Sequence, residues 1–470
     1  MNNSTLKSSL LIIEKRPRIG GHSIRVSIMI LAISLVGPCG HAQTTSDDRK
    51  TITLGELQQM ALSHNPTLAE AGAGIRAAAS RAKQSALYPN PTVGYQGEQI
   101  RGGAFRGGEQ GFFVQQDIVT PGKLGRSQKV FEQEQKETQV RGDQQKLRVM
   151  ANVETSYIHA LAAQQLLELR QDLGKVAQDA AETSHQLANV GQADAPDVLE
   201  AEIESERAAL DVTMTDENQR RIWRELAAVV GNPRLPLMRL EGNLEETPVV
   251  DADGLVERIV SESPAVKIAE LEVAKSEARL AQAKRESIPD LQLRGGLEEN
   301  RELLDPTGRP VGLQGFADAG VQIPIFNHNQ GNVAASNAEI EQARNGLERV
   351  KLGLRERAAG VAENYNYSRN AAARYKDEMI PRAQTAYEMY AKKYQDMAAP
   401  YPQVLMARRS MIQLQVAYVS ALENWAISSA ELQSYLLTDG LEAPAGPGAI
   451  NQPARGMDMR LESDAGSKGR

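Results

Sequence analysis

Four short segments of the chain alternate apolar and polar side chains. In the clearest of them, Leu291, Leu293 and Leu297 alternate with polar or glycine residues. A period of two places the apolar side chains on one face of a β-strand and the polar side chains on the other. The pattern therefore predicts strands near residues 92–100, 111–119, 290–298 and 313–325.

Apolar residues spaced seven apart follow the last predicted strand and continue on a returning segment. The two series are Val333, Ile340, Leu347, Leu354 and Val361, and then Leu405, Ile412, Val419 and Ala426. This spacing is typical of the seam along which helices pack in a coiled coil. A helix from Gly331 to Lys393 would be about 95 Å long at 1.5 Å per residue, which favours a rod-like helical hairpin.

The second half of the chain repeats the first at low identity. At an offset of 198 positions, Leu57, Ser63, Pro66, Arg81 and Pro91 match Leu255, Ser261, Pro264, Arg279 and Pro289. Later matches have offsets of 206 and 207. This order indicates a duplicated unit. Each copy is expected to contain a helix of about 25 residues, two strands and two very long helical segments.

The repeat sets the expected organisation of the chain. It consists of a signal peptide at 1–42, a first structural repeat at 43–230 with a long helical hairpin at about 122–230, a linker at 231–254, a second structural repeat at 255–437 with a long helical hairpin at about 331–437, and a disordered C-terminal tail at 438–470. The linker interrupts the helical periodicity, and the tail is rich in proline and glycine.

The N-terminal residues have the features of a secretory signal peptide. A basic opening precedes an apolar run from Val26 to Val36, and small residues precede a cleavage position after Ala42. The competing interpretation is a lipoprotein with Cys39 as its acylated N-terminus, although Pro38 fits poorly before such a cysteine. The sequence leaves both open.

Composition and charge exclude several functions. The formal net charge of −7, without a basic stripe, argues against a nucleic-acid-binding surface. The low aromatic content of 4% favours alanine-rich helix packing. The sequence has no nucleotide-binding or nucleophile motif, and its histidines are far apart. We therefore expect neither an enzyme, nor a cofactor, nor a zinc site.

Four strands leave a sheet with two open edges, which lipid does not tolerate. If the strands cross a membrane, further copies of the chain must therefore complete the sheet. A dimer would supply eight strands and a trimer twelve. Side chains fill the interior of an eight-stranded barrel, so a conduit favours the trimer.

Two segments then carry a resemblance to a known family. They resemble the hairpin tips of TolC-type outer-membrane efflux proteins, and their sequences are VGQADAPDVLEAE, which contains Gly191–Leu199, and YQDMAAPYPQVLMAR. The resemblance is to the branch that serves cation and drug pumps of the resistance-nodulation-division class. The resemblance covers about residues 52–437. It implies a homotrimer with a 12-stranded β-barrel in the outer membrane, continuous with a periplasmic α-helical coiled-coil barrel. Each chain would then be mainly α with a small β part.

The resemblance also implies a passive exit duct for metal cations or drugs, joined by a periplasmic adaptor protein to an inner-membrane transporter. The sequence does not identify the transported solute. Two alternatives remain, a duct for type I protein secretion and a periplasmic coiled-coil adaptor or structural protein. An adaptor normally has one helical hairpin, however, whereas this chain has two in tandem.

In the family, aspartates just past a hairpin turn ring the periplasmic aperture. Carried over by position, Asp197 matches, and Glu200 follows one turn later. Asp194 and Asp396 are further candidates near the two turns. The second copy departs from this pattern, because Gln403 and Met406 replace the acidic pair. Asp197 and Asp194 have an alternative role in stabilising a helix N-terminus.

The two turns are also candidates for contact with an adaptor hairpin, as the resemblance implies. Their small and apolar residues are Val190, Gly191, Ala193, Ala195, Met397, Ala398 and Ala399. An ordinary solvated turn is the alternative.

Overall fold

The computed structural model describes residues 51–100, 107–191, 193–304, 308–396, 398 and 401–444. These residues belong to one compact unit. The expected signal peptide with Cys39, and the tip residues Met397 and Ala399, lie outside the described residues.

Helices make up most of the described chain. In the first half they are α1 Leu54–His64, α2 Pro66–Gln84, α3 Lys123–Asn189 and α4 Ala195–Val229. In the second half they are α5 Ala252–Glu262, α6 Pro264–Glu286, α7 Gln330–Arg374, α8 Ile380–Gln395 and α9 Tyr401–Gln433. A π-helical turn, Tyr375–Met379, joins α7 to α8, and a 3-10 turn, Leu244–Glu246, lies between the halves. Among the described helices, none contains an apolar stretch long enough to cross a membrane.

Each half opens with two helices instead of the one helix of about 25 residues expected from the pattern. The break falls at Asn65 in the first half and at Ser263 in the second, and both residues have extended backbones. The Asn65 side chain accepts the N–H of Thr67, and Ser263 Oγ accepts the N–H of Val266. A proline follows each cap, and its fixed φ suits the first position of a helix. The cap ends one helix and starts the next.

Within the described residues, six strands form two sheets. They are β1 Thr51–Ile52, β2 Thr92–Glu98, β3 Glu109–Ile118, β4 Arg239–Leu240, β5 Leu291–Leu304 and β6 Arg309–Val321. Strands β1 and β4 pair in parallel, whereas the other four form an antiparallel sheet in the order β2-β3-β5-β6. The central pairing joins the two halves, with Ile118 opposite Leu291.

The strand bounds correct the sequence prediction in the second half. Strands β5 and β6 extend further towards the loop that connects them than the predicted ends at 298 and 313. Strand β6 also ends at Val321, so the predicted residues up to 325 are not in the strand. Pro324 has no N–H to donate to a ladder, which explains the early end.

The two long helical segments begin in the same way. Gly122, with φ of 92°, precedes α3, and Asn329, with φ of 64°, precedes α7. These residues are 207 positions apart, the offset of the matching strands. Glycine and asparagine are the residues that most readily adopt this left-handed conformation, which turns the chain from strand to helix.

The core joins helices of both halves. Val149 and Val153 of α3 pack with Leu226 of α4 and Leu422 of α9 in one buried cluster. The heptad series contributes to burial, because Ile340, Leu354, Ile412 and Val419 are buried. In contrast, none of the described side chains of α8 is buried. The continuous helix expected from Gly331 to Lys393 is thus interrupted at the π-helical turn, beyond which α8 has an open face.

The chain is still packed after residue 438, where the sequence predicts that a disordered tail begins. Gly440 is buried, and its carbonyl oxygen accepts hydrogen bonds from Gln145 Nε2 at 3.2 Å and from Thr67 Oγ1 at 3.3 Å. Gln145 Nε2 also donates to the carbonyl of Glu442 at 3.1 Å. Polar groups buried on α2 and α3 need these acceptors, so the chain remains packed through Glu442. Residues 445–470 lie outside the described chain.

Candidate functional site

One face of the four-stranded sheet is apolar and exposed. The register places Tyr95, Phe112 and Leu297 side by side on this face. The Tyr95 and Phe112 rings meet edge to face at 5.8 Å between centroids. Exposure reaches 69% for Phe112 and 74% for Leu313, and Val93, Val114, Leu291, Leu293 and Val321 are also exposed. A contiguous apolar face of this kind requires a membrane or a protein to cover it.

The opposite face is polar. Strand pairing aligns Gln96, Glu298 and Gln314 in one row and Glu98 and Glu109 in the next. Asn300, in the same row as Glu109, is buried and donates from Nδ2 to Glu109 Oε1 at 2.6 Å. The sheet therefore has one face suited to an apolar medium and one suited to water.

The sheet is open at both ends of its strand order. Within the described residues, β2 pairs only with β3, and β6 pairs only with β5. Unpaired backbone N–H and C=O groups at such edges cost several kcal/mol each in an apolar medium. The described chain therefore needs further strands to close this sheet in a membrane.

The first helical hairpin turns between α3 and α4. Val190 and Gly191 are exposed there, Ala195 is exposed and Ala193 is half-buried. Asp197 Oδ2 accepts the backbone N–H of Asp194 at 3.4 Å, and the Asp194 carbonyl accepts the N–H of Asp197 at 3.0 Å. The tip thus presents small and apolar residues beside a helix start with two carboxylates.

Of the two interpretations of these carboxylates, the single chain bears only on helix capping. Asp197 has the geometry of a helix-capping residue within the single chain. Glu200 is exposed and follows one turn later on α4. Whether they also form a ring depends on neighbouring copies, so that role stays a prediction.

The second hairpin tip is described only in part. Asp396 is exposed at the end of α8, and its N–H donates to the Lys392 carbonyl at 3.0 Å. The N–H of Ala398 donates to the Lys393 carbonyl at 2.7 Å. The predicted adaptor contacts at this tip remain untested predictions.

A salt bridge links the two hairpins near their tips, and sequence analysis did not find it. Arg409 Nη1 of α9 lies 2.8 Å from Glu204 Oε1 of α4. Within the first hairpin, His185 Nε2 lies 2.8 Å from Glu202 Oε1. The local sequence gives no signal for such pairs, because their partners are distant along the chain.

A buried ionic cluster joins α3 to α6. Glu137 is 1% exposed and lies 2.6 Å from Arg141 Nη2 and 2.7 Å from Lys275 Nζ. Lys275 also pairs with Glu272. Burial alone would raise the pKa of Glu137, but the Lys275 ammonium and the Arg141 guanidinium outweigh it and hold that pKa below its usual range. The cluster fixes the first long helix against the second half of the chain.

A second polar cluster holds the π-helical turn. Lys376 Nζ in the turn lies 2.7 Å from Glu245 Oε2, whose other oxygen accepts a hydrogen bond from Tyr418 OH at 3.0 Å. The Lys376 ammonium, together with the Tyr418 hydroxyl, lowers the pKa of Glu245. Burial and the Glu245 carboxylate raise the pKa of Tyr418. Glu245, in the segment between the halves, thereby contacts both sides of the second hairpin, at the π-helical turn and at α9.

The described ranges contain no group of three or more His, Cys, Asp or Glu side chains placed to hold a metal ion.

The model of the outer membrane efflux protein family matches the chain twice, at residues 57–232 and at residues 255–436. The chain belongs to this family. An outer membrane efflux protein with this architecture lies in the outer membrane and has a large helical part in the periplasm. The predicted family, the mainly helical fold with a small β part and the outer-membrane location are thereby confirmed.

A curated relative of this efflux protein is the cobalt-zinc-cadmium resistance protein CzcC of Cupriavidus metallidurans. The two are 23% identical over 283 residues, which is 60% of this chain and 65% of CzcC. The chain thus matches slightly less than two thirds of the length of its relative.

Solved outer-membrane channels share the fold of this efflux protein. CusC superposes with a TM-score of 0.67 at 16% identity, covering 85% of this chain and 95% of CusC. The open state of the Neisseria gonorrhoeae channel MtrE gives a TM-score of 0.67 at 17% identity, covering 83% of this chain and 90% of MtrE.

Proposed function

We propose that this protein is the exit duct of a tripartite efflux pump and that it works as a homotrimer. The observation that carries the proposal is the four-stranded sheet, with one exposed apolar face, one polar face and two open edges. Three copies supply twelve strands, enough for a closed barrel with a water-filled interior. The apolar face then contacts lipid and the polar face lines the lumen.

The helices support the same assembly. Helix α4 exposes Leu199, Ile203, Leu210 and Met214, and α8 exposes Met389 and Tyr390. The spacing of the α4 residues repeats after four and seven positions, as on a helix that packs against another helix. Neighbouring copies would cover these faces and continue the barrel as a helical tunnel.

The solute class we propose is divalent metal cations. Two facts support it: the relative CzcC is a cobalt-zinc-cadmium resistance protein, and the first tip carries Asp197 and Glu200. Three copies would bring six carboxylates to the periplasmic end, and a ring of carboxylates favours the passage of cations. The duct would be passive, since an upstream transporter would select the solute and supply the energy.

The partners we propose are a periplasmic adaptor protein and an inner-membrane transporter. The exposed tip residues Val190, Gly191 and Ala195 would receive a helical hairpin of the adaptor, as small residues allow helices to approach closely.

We also infer that the two halves arose by duplication of one unit. The family model matches each half separately, and α1 and α5, like α2 and α6, begin 198 positions apart. The left-handed residues Gly122 and Asn329 precede corresponding helices. A duplicated unit explains why both sheet hairpins and both helical hairpins follow the same order.

The proposal is tested by deleting the gene and measuring growth on zinc, cobalt and cadmium salts and on organic antibiotics. Metal sensitivity of the deletion strain that is reversed by the wild-type gene supports the proposed solute class. Arg221→Gln, which removes an exposed ion pair within α4, serves as the control variant and should restore metal tolerance like the wild-type gene. Unchanged metal tolerance together with antibiotic sensitivity would reject the metal solute, and unchanged tolerance to both would reject the efflux function.

A further inference from the structure

The polar face of the sheet contains one arginine held between two aromatic rings. The guanidinium carbon of Arg294 lies 4.2 Å from the centre of the Phe113 ring and 5.6 Å from that of Phe316. Arg294 also donates to Gln96 Oε1. Strand register places Phe113 and Phe316 in one row, next to the row that holds Arg294.

Two glycines make this arrangement possible. A Cβ atom on Gly94 would lie 2.5 Å from the Phe113 ring, and one on Gly296 would lie 2.7 Å from the Phe316 ring. The rings therefore lie directly against the backbone of the neighbouring strands, and side chains at these two positions would push them away. The two aromatic rings lie against the sheet, and the Arg294 guanidinium stacks on the Phe113 ring.

The positive charge of Arg294 is not neutralised by a direct pair. Asp318 lies opposite Arg294 in the strand register, yet among the described residues no carboxylate is within ion-pair distance of Arg294. Its Nε is buried without a hydrogen-bond partner in the described chain. The ring and the Gln96 amide hold the guanidinium in place without cancelling its charge.

From this geometry we infer that Arg294, positioned by Phe113 and Phe316, is a specificity-determining residue of the duct. The inference rests on the proposed function, because the polar face becomes the lumen only in a closed barrel. Three copies then place three fixed guanidinium charges at one level of the lumen, each opposite an Asp318 carboxylate that does not pair with it directly. This level lies between the acidic row of Glu98 and Glu109 towards the loops and Asp117 towards the helices. The three Arg294 side chains lower the preference of the barrel for cations and favour solutes whose charge is partly neutralised.

The test is the ratio of potassium to chloride permeability of the purified protein in planar bilayers under a salt gradient. For Arg294→Gln we expect the ratio to rise about sevenfold, because removing a unit charge about 7 Å from a permeating ion in water favours the cation and disfavours the anion by about 2.7-fold each. Arg294→Lys keeps the charge and should keep the wild-type ratio. Arg301→Gln is the matched control, because it removes an exposed arginine of the same strand that pairs with Glu299 at 3.2 Å. It should leave the ratio unchanged.

If Arg294→Gln does not assemble, a variant with a thiol at the same position still tests the inference. In a Cys39→Ser background, Arg294→Cys provides the only thiol of the chain. A cationic thiol reagent added to the assembled channel should lower the permeability ratio, and an anionic reagent should raise it. A thiol that does not react in the conducting channel would overturn the inference.

The two possible failures are distinguishable. A wild-type protein that forms no channel defeats the proposed function, and this inference with it. A conducting wild type whose permeability ratio is unchanged by Arg294→Gln overturns this inference alone.

Discussion

Replacing the buried carboxylate Glu137 by glutamine should destabilise the protein strongly. Its two oxygens contact Arg141 at 2.6 Å and Lys275 at 2.7 Å, and all three side chains are at most 6% exposed. Glu137→Gln keeps the shape but removes the anion that two buried cations share, and the Lys275 pair with Glu272 remains. Removing one partner of a buried ion pair costs about 3–5 kcal/mol, so we expect the free energy of unfolding to fall by roughly this amount.

The matched control is Glu134→Gln, one turn earlier on the same helix. Glu134 pairs with Arg81 at 2.8 Å, but the Arg81 side chain is 47% exposed. Exposed pairs contribute about 0–1 kcal/mol, so this variant should unfold almost like the wild type. Urea unfolding followed by far-UV circular dichroism, at one protein concentration in one detergent, measures both variants.

The pH dependence gives this prediction a second readout. Because the folded pKa of Glu137 is lowered, its stabilisation is complete above the unfolded value of about 4.3 and is lost as the pH falls through the folded pKa. The difference between wild type and Glu137→Gln should therefore shrink below about pH 4.3 and stay constant above it. Equal unfolding of Glu137→Gln and Glu134→Gln near pH 7 would refute the reasoning.

Three further predictions concern the aperture, the C-terminal segment and the π-helical turn. Asp197→Ala combined with Glu200→Ala should raise single-channel conductance and lower cation preference in planar bilayers; unchanged values would reject the aperture role. A chain ending at residue 437 should be about 1–3 kcal/mol less stable than one ending at residue 444, because Gln145 is left buried without its carbonyl acceptors. Equal unfolding midpoints would contradict this. Tyr418→Phe removes one hydrogen bond to Glu245 and should raise the carboxyl pKa, which carboxylate-resolved spectroscopy would show as a shift in titration towards higher pH; no shift would mean that the contact is not formed.

Periodicity along the chain was enough to predict the main elements. Alternation of apolar and polar residues indicated all four strands of the large sheet, since successive side chains of a strand lie on opposite faces, one apolar and one polar here. The heptad series predicted the long helices because this spacing places apolar residues along one side of a helix, where Ile340 and Leu354 are buried. Both patterns follow from the regular geometry of a single element.

Features that depend on contacts between distant segments were not predictable in this way. The charges of Glu137 and Lys275 look like ordinary surface residues in sequence, and only the packing of α3 on α6 buries them. The stack of Arg294 on Phe113 likewise requires strands from both halves to pair in one register. At the first tip, Asp197 was predicted both as an aperture residue and as a cap, and the single chain shows only the capping contact. Its role at an aperture depends on neighbouring copies.

The number of chains in the detergent-extracted protein tests the central claim most directly. Native mass spectrometry of the outer-membrane protein should give a complex of three chains, because three copies would pair the edges of β2 and β6 that are unpaired within the described residues. A stable monomer with both sheet edges paired within one chain would contradict the account.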